Sequence, residues 1–130
     1  VVTTTPSHQP YLKVEWLHPG LHITAMGSDT EEKQELYPDV LRRVDRLVCD
    51  SRTQCFRLGE LHHGVRAGTV SPDADVAELG ELTSGRKAGR QDDREITVCD
   101  LTGTGVQDTA IARLACRRAW ERGIGLRVQT

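Results

Sequence analysis

The chain has 130 residues, 37% of them hydrophobic and 28% charged, with a formal net charge of −2. That length supports one domain at most, and a near-neutral balance without basic patches between aromatics argues against an electrostatic nucleic-acid binder. No apolar run approaches the roughly 20 residues that span a bilayer, and no signal peptide is visible.

The first residues, "VVTTT", read as a β-branched strand over Val1–Thr5 with no lead-in and no initiator Met. A buried strand needs neighbours on both sides, so this start predicts the C-terminal part of a longer protein. "LKVEWLHPG" follows as a short helical turn ended by Pro19-Gly20. A second strand is expected over His22–Met26. Pro38 then fits the first turn of a helix and holds Tyr37 extended; the apolar face of that helix is Val40, Leu41, Val44 and Leu47. A third strand is expected over Arg46–Asp50, then a helix from about Thr53 to Val65 carrying Cys55, Leu58, Leu61 and Val65 at helical spacing. From Ala67 to Arg94 the chain is polar and Gly-rich apart from one helical piece, "DVAELGELTSG", and is expected to lie over the surface. The last strand covers Ile96–Leu101. The last helix runs from Val106 to Arg122 with a buried stripe of Val106, Ala110, Ile111, Leu114 and Ala115, and Gly123 supplies its stop. Strands that alternate with helices predict a parallel α/β sheet.

The four cysteines, Cys49, Cys55, Cys99 and Cys116, show no C-x-x-C spacing. Three sit inside apolar patterns and read as reduced core residues, which predicts a cytoplasmic protein. Glu60, His62 and His63 share a helix, but adjacent histidines point about 100° apart, so no metal pair is expected there.

In an open parallel sheet, ligands bind outside the carboxyl ends of the strands, and three polar clusters follow such ends. "TTTPS" offers hydroxyls that could meet a ribose, or merely form a turn. In "TAMGSDTEEK", Gly27 would let backbone approach a flat ligand and Asp29 would project as a general base, unless Gly27-Ser28-Asp29 is a turn with Asp29 or Thr30 capping a helix. In "LTGTGVQD", Gly103 and Gly105 fit the dinucleotide fingerprint, but Asp108 replaces its third glycine. A carboxylate in that first turn would repel a pyrophosphate, and no acidic residue stands 20 positions on. The fingerprint fails, which leaves the glycines for close approach to another part of a ligand.

Taken together, "VVTTTPS", "WLHPGLHITAMGSD", "KQEL", "VCDS", "GEL", "ELGEL" and "ITVCDLTGTGVQDTAIA" resemble the ornithine cyclodeaminase/mu-crystallin family in order and spacing, to about Ala115. The wording is most similar to cyclodeaminase-like enzymes of ectoine-utilisation clusters. This resemblance implies the second half of a Rossmann-type NAD(P)-binding sheet with flanking helices over residues 1–105. It also implies that 106–130 form a C-terminal helix and tail returning toward an absent substrate and dimerisation domain. The phosphate-binding turn and the acidic residue that tells NAD from NADP would lie upstream. By the same resemblance Asp29 is the catalytic and substrate-binding carboxylate, and Thr102 touches substrate. Thr4, Thr5, Ala25, Met26, Gly27, Ser28, Lys33 and Leu101 line the cofactor, although Leu101 replaces a serine found in some members and Tyr37 a polar helix cap. The implied protein is a homodimeric NAD-dependent ammonia-lyase that closes a ring on ornithine or a similar small diamino acid. Its alternatives are a ketimine reductase or amino-acid dehydrogenase of the same fold, or a non-catalytic binding protein or inactive truncation.

Overall fold

The computed structural model describes residues 1–126 and 128. Its elements, in chain order, are β1 (Val2–Thr3), a 3-10 turn (Val14–Trp16), β2 (His22–Ala25), α1 (Pro38–Arg43) and β3 (Arg46–Cys49). There follow α2 (Arg52–Cys55), α3 (Glu60–Arg66), β4 (Ala77–Glu78), α4 (Leu79–Thr83), β5 (Thr97–Asp100) and α5 (Gly105–Arg122). The strands form one sheet in the order β1-β2-β5-β3-β4, every neighbouring pair parallel. Placing β5 between β2 and β3 in register, with Ala25 opposite Asp100 and Asp100 opposite Cys49, gathers three strand ends at one edge.

Strand parity divides the two faces. Ile23, Ala25, Cys49 and Val98 point to one side, where Val40 and Leu41 of α1, Cys55 of α2 and Leu61 of α3 complete the core with Leu12 and Leu36. Ile23, Leu36, Val40, Leu61 and Val98 are wholly buried, and each such side chain stabilises the fold by about 1.5–3 kcal/mol. The opposite face carries His22, Thr24, Val48, Cys99 and Leu101, which together with Leu79 and Leu82 of α4 and Arg90 line a depression of about 350 Å³.

The structure departs from the sequence expectations at five places. The β1 strand stops at Thr3, and Thr4 and Thr5 are exposed loop residues because Thr5 turns its amide and hydroxyl to a side chain instead of a strand. Leu47 belongs to β3, not to the preceding helix, since α1 ends at Arg43 and Val44 is extended. The expected helix from Thr53 to Val65 is two helices, broken where Gly59 takes an extended conformation. The polar segment contains a further parallel strand, β4, and buries Val70 and Val76; two strand residues are too few to show an alternation. Finally, the stripe of α5 is exposed: Val106 is 73% and Ile111 61% accessible, because no surface among the described residues faces that helix. Pro38 does occupy the first turn of α1 behind an extended Tyr37 that makes no side-chain cap, and Gly123 ends α5 in the left-handed region at φ 62°. Of the tail within 106–130, residues 127, 129 and 130 lie outside the described residues.

Candidate active site

Loops leaving β1, β2, β3 and β5 meet at the carboxyl edge of the sheet, with buried Glu35 joining the first two and half-buried Asp50 joining the last two. Glu35 is wholly buried. Its Oε1 accepts hydrogen bonds from the Thr5 N–H (2.6 Å), the Thr5 hydroxyl (2.8 Å) and the Tyr11 hydroxyl (3.0 Å), and its Oε2 accepts from the Gly27 N–H (2.9 Å). Burial pushes this carboxyl up, but the nearby Thr3 hydroxyl and the donors of Thr5 and Gly27 outweigh it and hold it below the usual glutamate range. Gly27 has no side chain for a specific reason. A Cβ there would lie against the Glu35 carboxylate and 2.5 Å from the Thr5 carbonyl oxygen. The protein's own interior thus already requires glycine at this position, whatever its backbone borders.

Glu60, at the start of α3, supports Glu35 from behind. Its carboxylate accepts from the backbone N–H groups of Glu35 (2.8 Å) and Leu36 (3.3 Å). Burial raises its pKa to about 8, with the neighbouring Asp100 adding to the effect. Asp100, the last residue of β5, accepts from the Leu61 N–H at 2.9 Å. It thereby supplies the acceptor at the α3 N-terminus that Gly59, the N-cap residue, cannot. A Cβ on Gly59 would stand 2.7 Å from Asp100 Oδ1, so this glycine also accommodates a carboxylate. Burial raises Asp100 to about 7.

Asp50 closes the third loop. Its Oδ2 accepts from the Gly103 N–H at 2.8 Å, and its Oδ1 from the Ser51 N–H, the Thr102 hydroxyl and the Cys55 thiol. Gly103 needs its glycine for the positive φ of 82°, and its carbonyl accepts from Gln54 Nε2 at 2.8 Å. The turn is fixed from inside the protein. Thr104 and Gln107 make a capping box at the start of α5, and Asp108 stands in its first turn, so this helix end is arranged for its own side chains and not for a phosphate.

The residues singled out from sequence fall into separate settings. Thr4 and Thr5 are exposed beyond β1. Ala25, Gly27 and Ser28 are buried, with the Ser28 hydroxyl donating to the Lys33 carbonyl, while Met26 is 46% exposed. Asp29 sits at the open rim, its side chain 49% accessible, and its Oδ1 meets Lys33 Nζ at 2.8 Å. No helix follows this loop for Asp29 or Thr30 to cap. His63 Nε2 holds the same loop through the Lys33 carbonyl at 2.7 Å. Leu101 donates its N–H to the Ala25 carbonyl and turns its half-buried side chain to the face of the sheet opposite the core. Thr102 is 8% exposed, with its hydroxyl on Asp50. Thus the structure joins Thr5 to Gly27 and Asp29 to Lys33, and it sends Leu101 and Thr102 to opposite sides. Among the described residues, no group of three or more metal-ligating side chains comes together, and no helix is long and apolar enough to cross a membrane.

With this edge described, comparison with known proteins is decisive. Residues 1–123 match the sequence profile of the ornithine cyclodeaminase/mu-crystallin family. The chain belongs to that family. It is 57% identical over 125 residues to an uncharacterized cyclodeaminase of Sinorhizobium fredii, covering 96% of this chain and 38% of that protein. It superposes on an archaeal alanine dehydrogenase dimer with bound NAD at a TM-score of 0.82 and 39% identity, covering 98% of this chain and 40% of that one. It also superposes on the Thermococcus litoralis Delta(1)-pyrroline-2-carboxylate reductase bound to NADH and L-proline, at a TM-score of 0.85 and 30% identity, covering 98% and 39%. The chain thus spans about two fifths of its relatives' length, and its parallel sheet is the Rossmann-type fold of these NAD-dependent enzymes.

Sequence reasoning missed Glu35, Glu60, Asp50 and Asp100. One signal was available: Asp100 shares strand parity with the core residue Val98, so a carboxylate there had to be buried.

Proposed function

We propose that the protein containing this chain is an NAD-dependent enzyme acting on a small amino acid, and that its reaction is a cyclodeaminase-type ammonia-lyase on ornithine or a similar diamino acid, including one from ectoine breakdown. The observation that carries the reading is Asp29: an accessible carboxylate at the carboxyl end of β2, oriented through one oxygen by Lys33. The residues present fit the nicotinamide-bearing half of the cofactor better than its pyrophosphate. Exposed Met26, Thr4 and Thr5 border the edge, whereas the glycine turn before the long helix α5 is taken up by Asp50, Gln54 and its own cap. Thr4, Thr5, Lys33, Leu101 and the backbone of Ala25 to Ser28 would line it, and Thr102 would meet substrate through its backbone. NADP is a second candidate.

When bound, the cofactor supplies reversible hydride acceptance at the amino-acid α-carbon. The chain's own contribution is proton handling. Asp29 takes a proton from the substrate's distal ammonium, because only the neutral amine is nucleophilic enough to close a ring with loss of ammonia. The α5 helix, with residues 106–130, would lead to the substrate-binding part of a homodimer.

The test uses the full-length protein with NAD+ and ornithine, or its one-carbon-shorter and one-carbon-longer homologues. A lyase releases ammonia with no net NADH. Net NADH formation supports the second reading, an amino-acid dehydrogenase or imine reductase, which the alanine dehydrogenase and pyrroline-carboxylate reductase relatives favour. Undiminished turnover by Asp29→Asn would sink the role given to that carboxylate.

A further inference from the structure

We infer that Glu35 is a positioning residue that locks the loop after β1 to the loop after β2, so that the backbone bordering the cofactor and the Asp29 carboxylate are held as one unit. The inference rests on the reading of Asp29 above. Its own grounds are geometric. One buried carboxylate receives the Thr5 N–H and hydroxyl on one oxygen and the Gly27 N–H on the other. Gly27 lies two residues before Asp29, and the Asp29 N–H returns to the Gly27 carbonyl at 3.1 Å. The carboxylate is itself held: Glu60 fixes the Glu35 backbone, and the Tyr11 hydroxyl approaches Oε1 from the side. The missing Cβ of Gly27 completes the fit. An ionised carboxylate suits this place because both backbone partners are N–H donors, and only an acceptor on each oxygen satisfies them.

Glu35→Gln separates this role from simple packing. It keeps the shape, but whichever way the amide turns, its NH2 faces a backbone N–H of Thr5 or Gly27, and one of the two links opens. In the full-length protein without cofactor, amide exchange over residues 2–12 or 22–36 should quicken roughly tenfold, the scale of one lost hydrogen bond. Turnover should fall on the order of 10²-fold, as a 1 Å misplacement of a reacting group can cause, with a smaller change in NAD+ affinity. Val70→Ala, a destabilising change in the same core but outside the hydrogen bonds of Glu35, should quicken exchange in the two segments no more than in the rest of the fold and leave turnover unaltered. Thr5→Val removes the hydroxyl link to Glu35, along with a long exposed contact from the Ser7 N–H, and, should Glu35→Gln not fold, must show the same pattern at lower amplitude.

Unchanged exchange in both segments, or a Val70→Ala protein that loses as much turnover as Glu35→Gln, overturns the inference. If Asp29→Asn keeps full turnover, the reading of the site fails by itself, and exchange in the two segments still decides whether Glu35 joins the loops.

Discussion

Replacing Glu60 by glutamine should remove a large part of the loss of stability that the protein suffers as pH rises. Glu60 is 1% exposed, and its carboxyl titrates at about 8 in the fold against 4.5 ordinarily. Between those values the folded state binds a proton that the unfolded state has released, so the contribution of this carboxyl to stability is full below pH 4.5 and is lost as pH rises through 8. At about 1.4 kcal/mol for each pH decade, the full loss is roughly 5 kcal/mol, of which ~3 kcal/mol falls between about pH 5.5 and 8.5. Asp100, raised from 3.8 to about 7, pulls in the same direction. For a protein of this class, ~3 kcal/mol corresponds to a fall in Tm of roughly 6–12 °C. In Glu60→Gln the amide oxygen keeps the Glu35 N–H, while the NH2 meets the Leu36 N–H, a contact already long at 3.3 Å. The variant should be less stable than the parent by about 1 kcal/mol at low pH and more stable at high pH, so the two curves of Tm against pH cross. Differential scanning calorimetry of the full-length protein across this range makes the measurement. Parallel curves, or a parent Tm that rises with pH relative to the variant, would refute the reasoning.

Gly59→Ala should lower stability by about 1–3 kcal/mol, because the new methyl group meets Asp100 Oδ1 at 2.7 Å in a filled interior; thermal unfolding reads it. Leu61→Ala, at a wholly buried position, should cost about 2–5 kcal/mol in the same assay. Lys33→Met should change stability by less than ~1 kcal/mol, since its ion pair with Asp29 is solvated, yet weaken NAD+ binding in a fluorescence titration. Cys49, Cys55 and Cys99 should resist alkylation at pH 8 until the protein is unfolded. All three are buried; the neighbouring Cys49 side chain and burial raise the Cys55 thiol, and burial pushes Cys99 up to about 12. Mass spectrometry of the labelled protein decides this.

The parallel sheet was legible because its main strands are short apolar runs separated by helical spacing, and Pro38 and Gly123 mark helix limits that the structure keeps. What was not legible depends on contacts between distant residues. The break at Gly59 is set by Asp100, a residue 41 positions later, and local spacing favours one continuous helix. The Ala77–Glu78 strand exists through pairing with Val48 and Cys49. The α5 stripe has the period of a buried helix but no facing surface among the described residues. At the site, Asp29, Thr5 and Gly27 could be singled out from their place after strands. Glu35 could not, because nothing in "KQEL" states that its third residue turns inward to meet two loops.

The fit between Gly27 and the Glu35 carboxylate makes these positions interdependent in descent as well as in structure. A lineage that acquires any side chain at 27 must give up the long acid at 35 and also shift the Thr5 carbonyl, which stands 2.5 Å from that place. A side chain at 27 should therefore not arise without change at 35, and a designer moving this loop into another scaffold must carry both residues and the turn at Thr5.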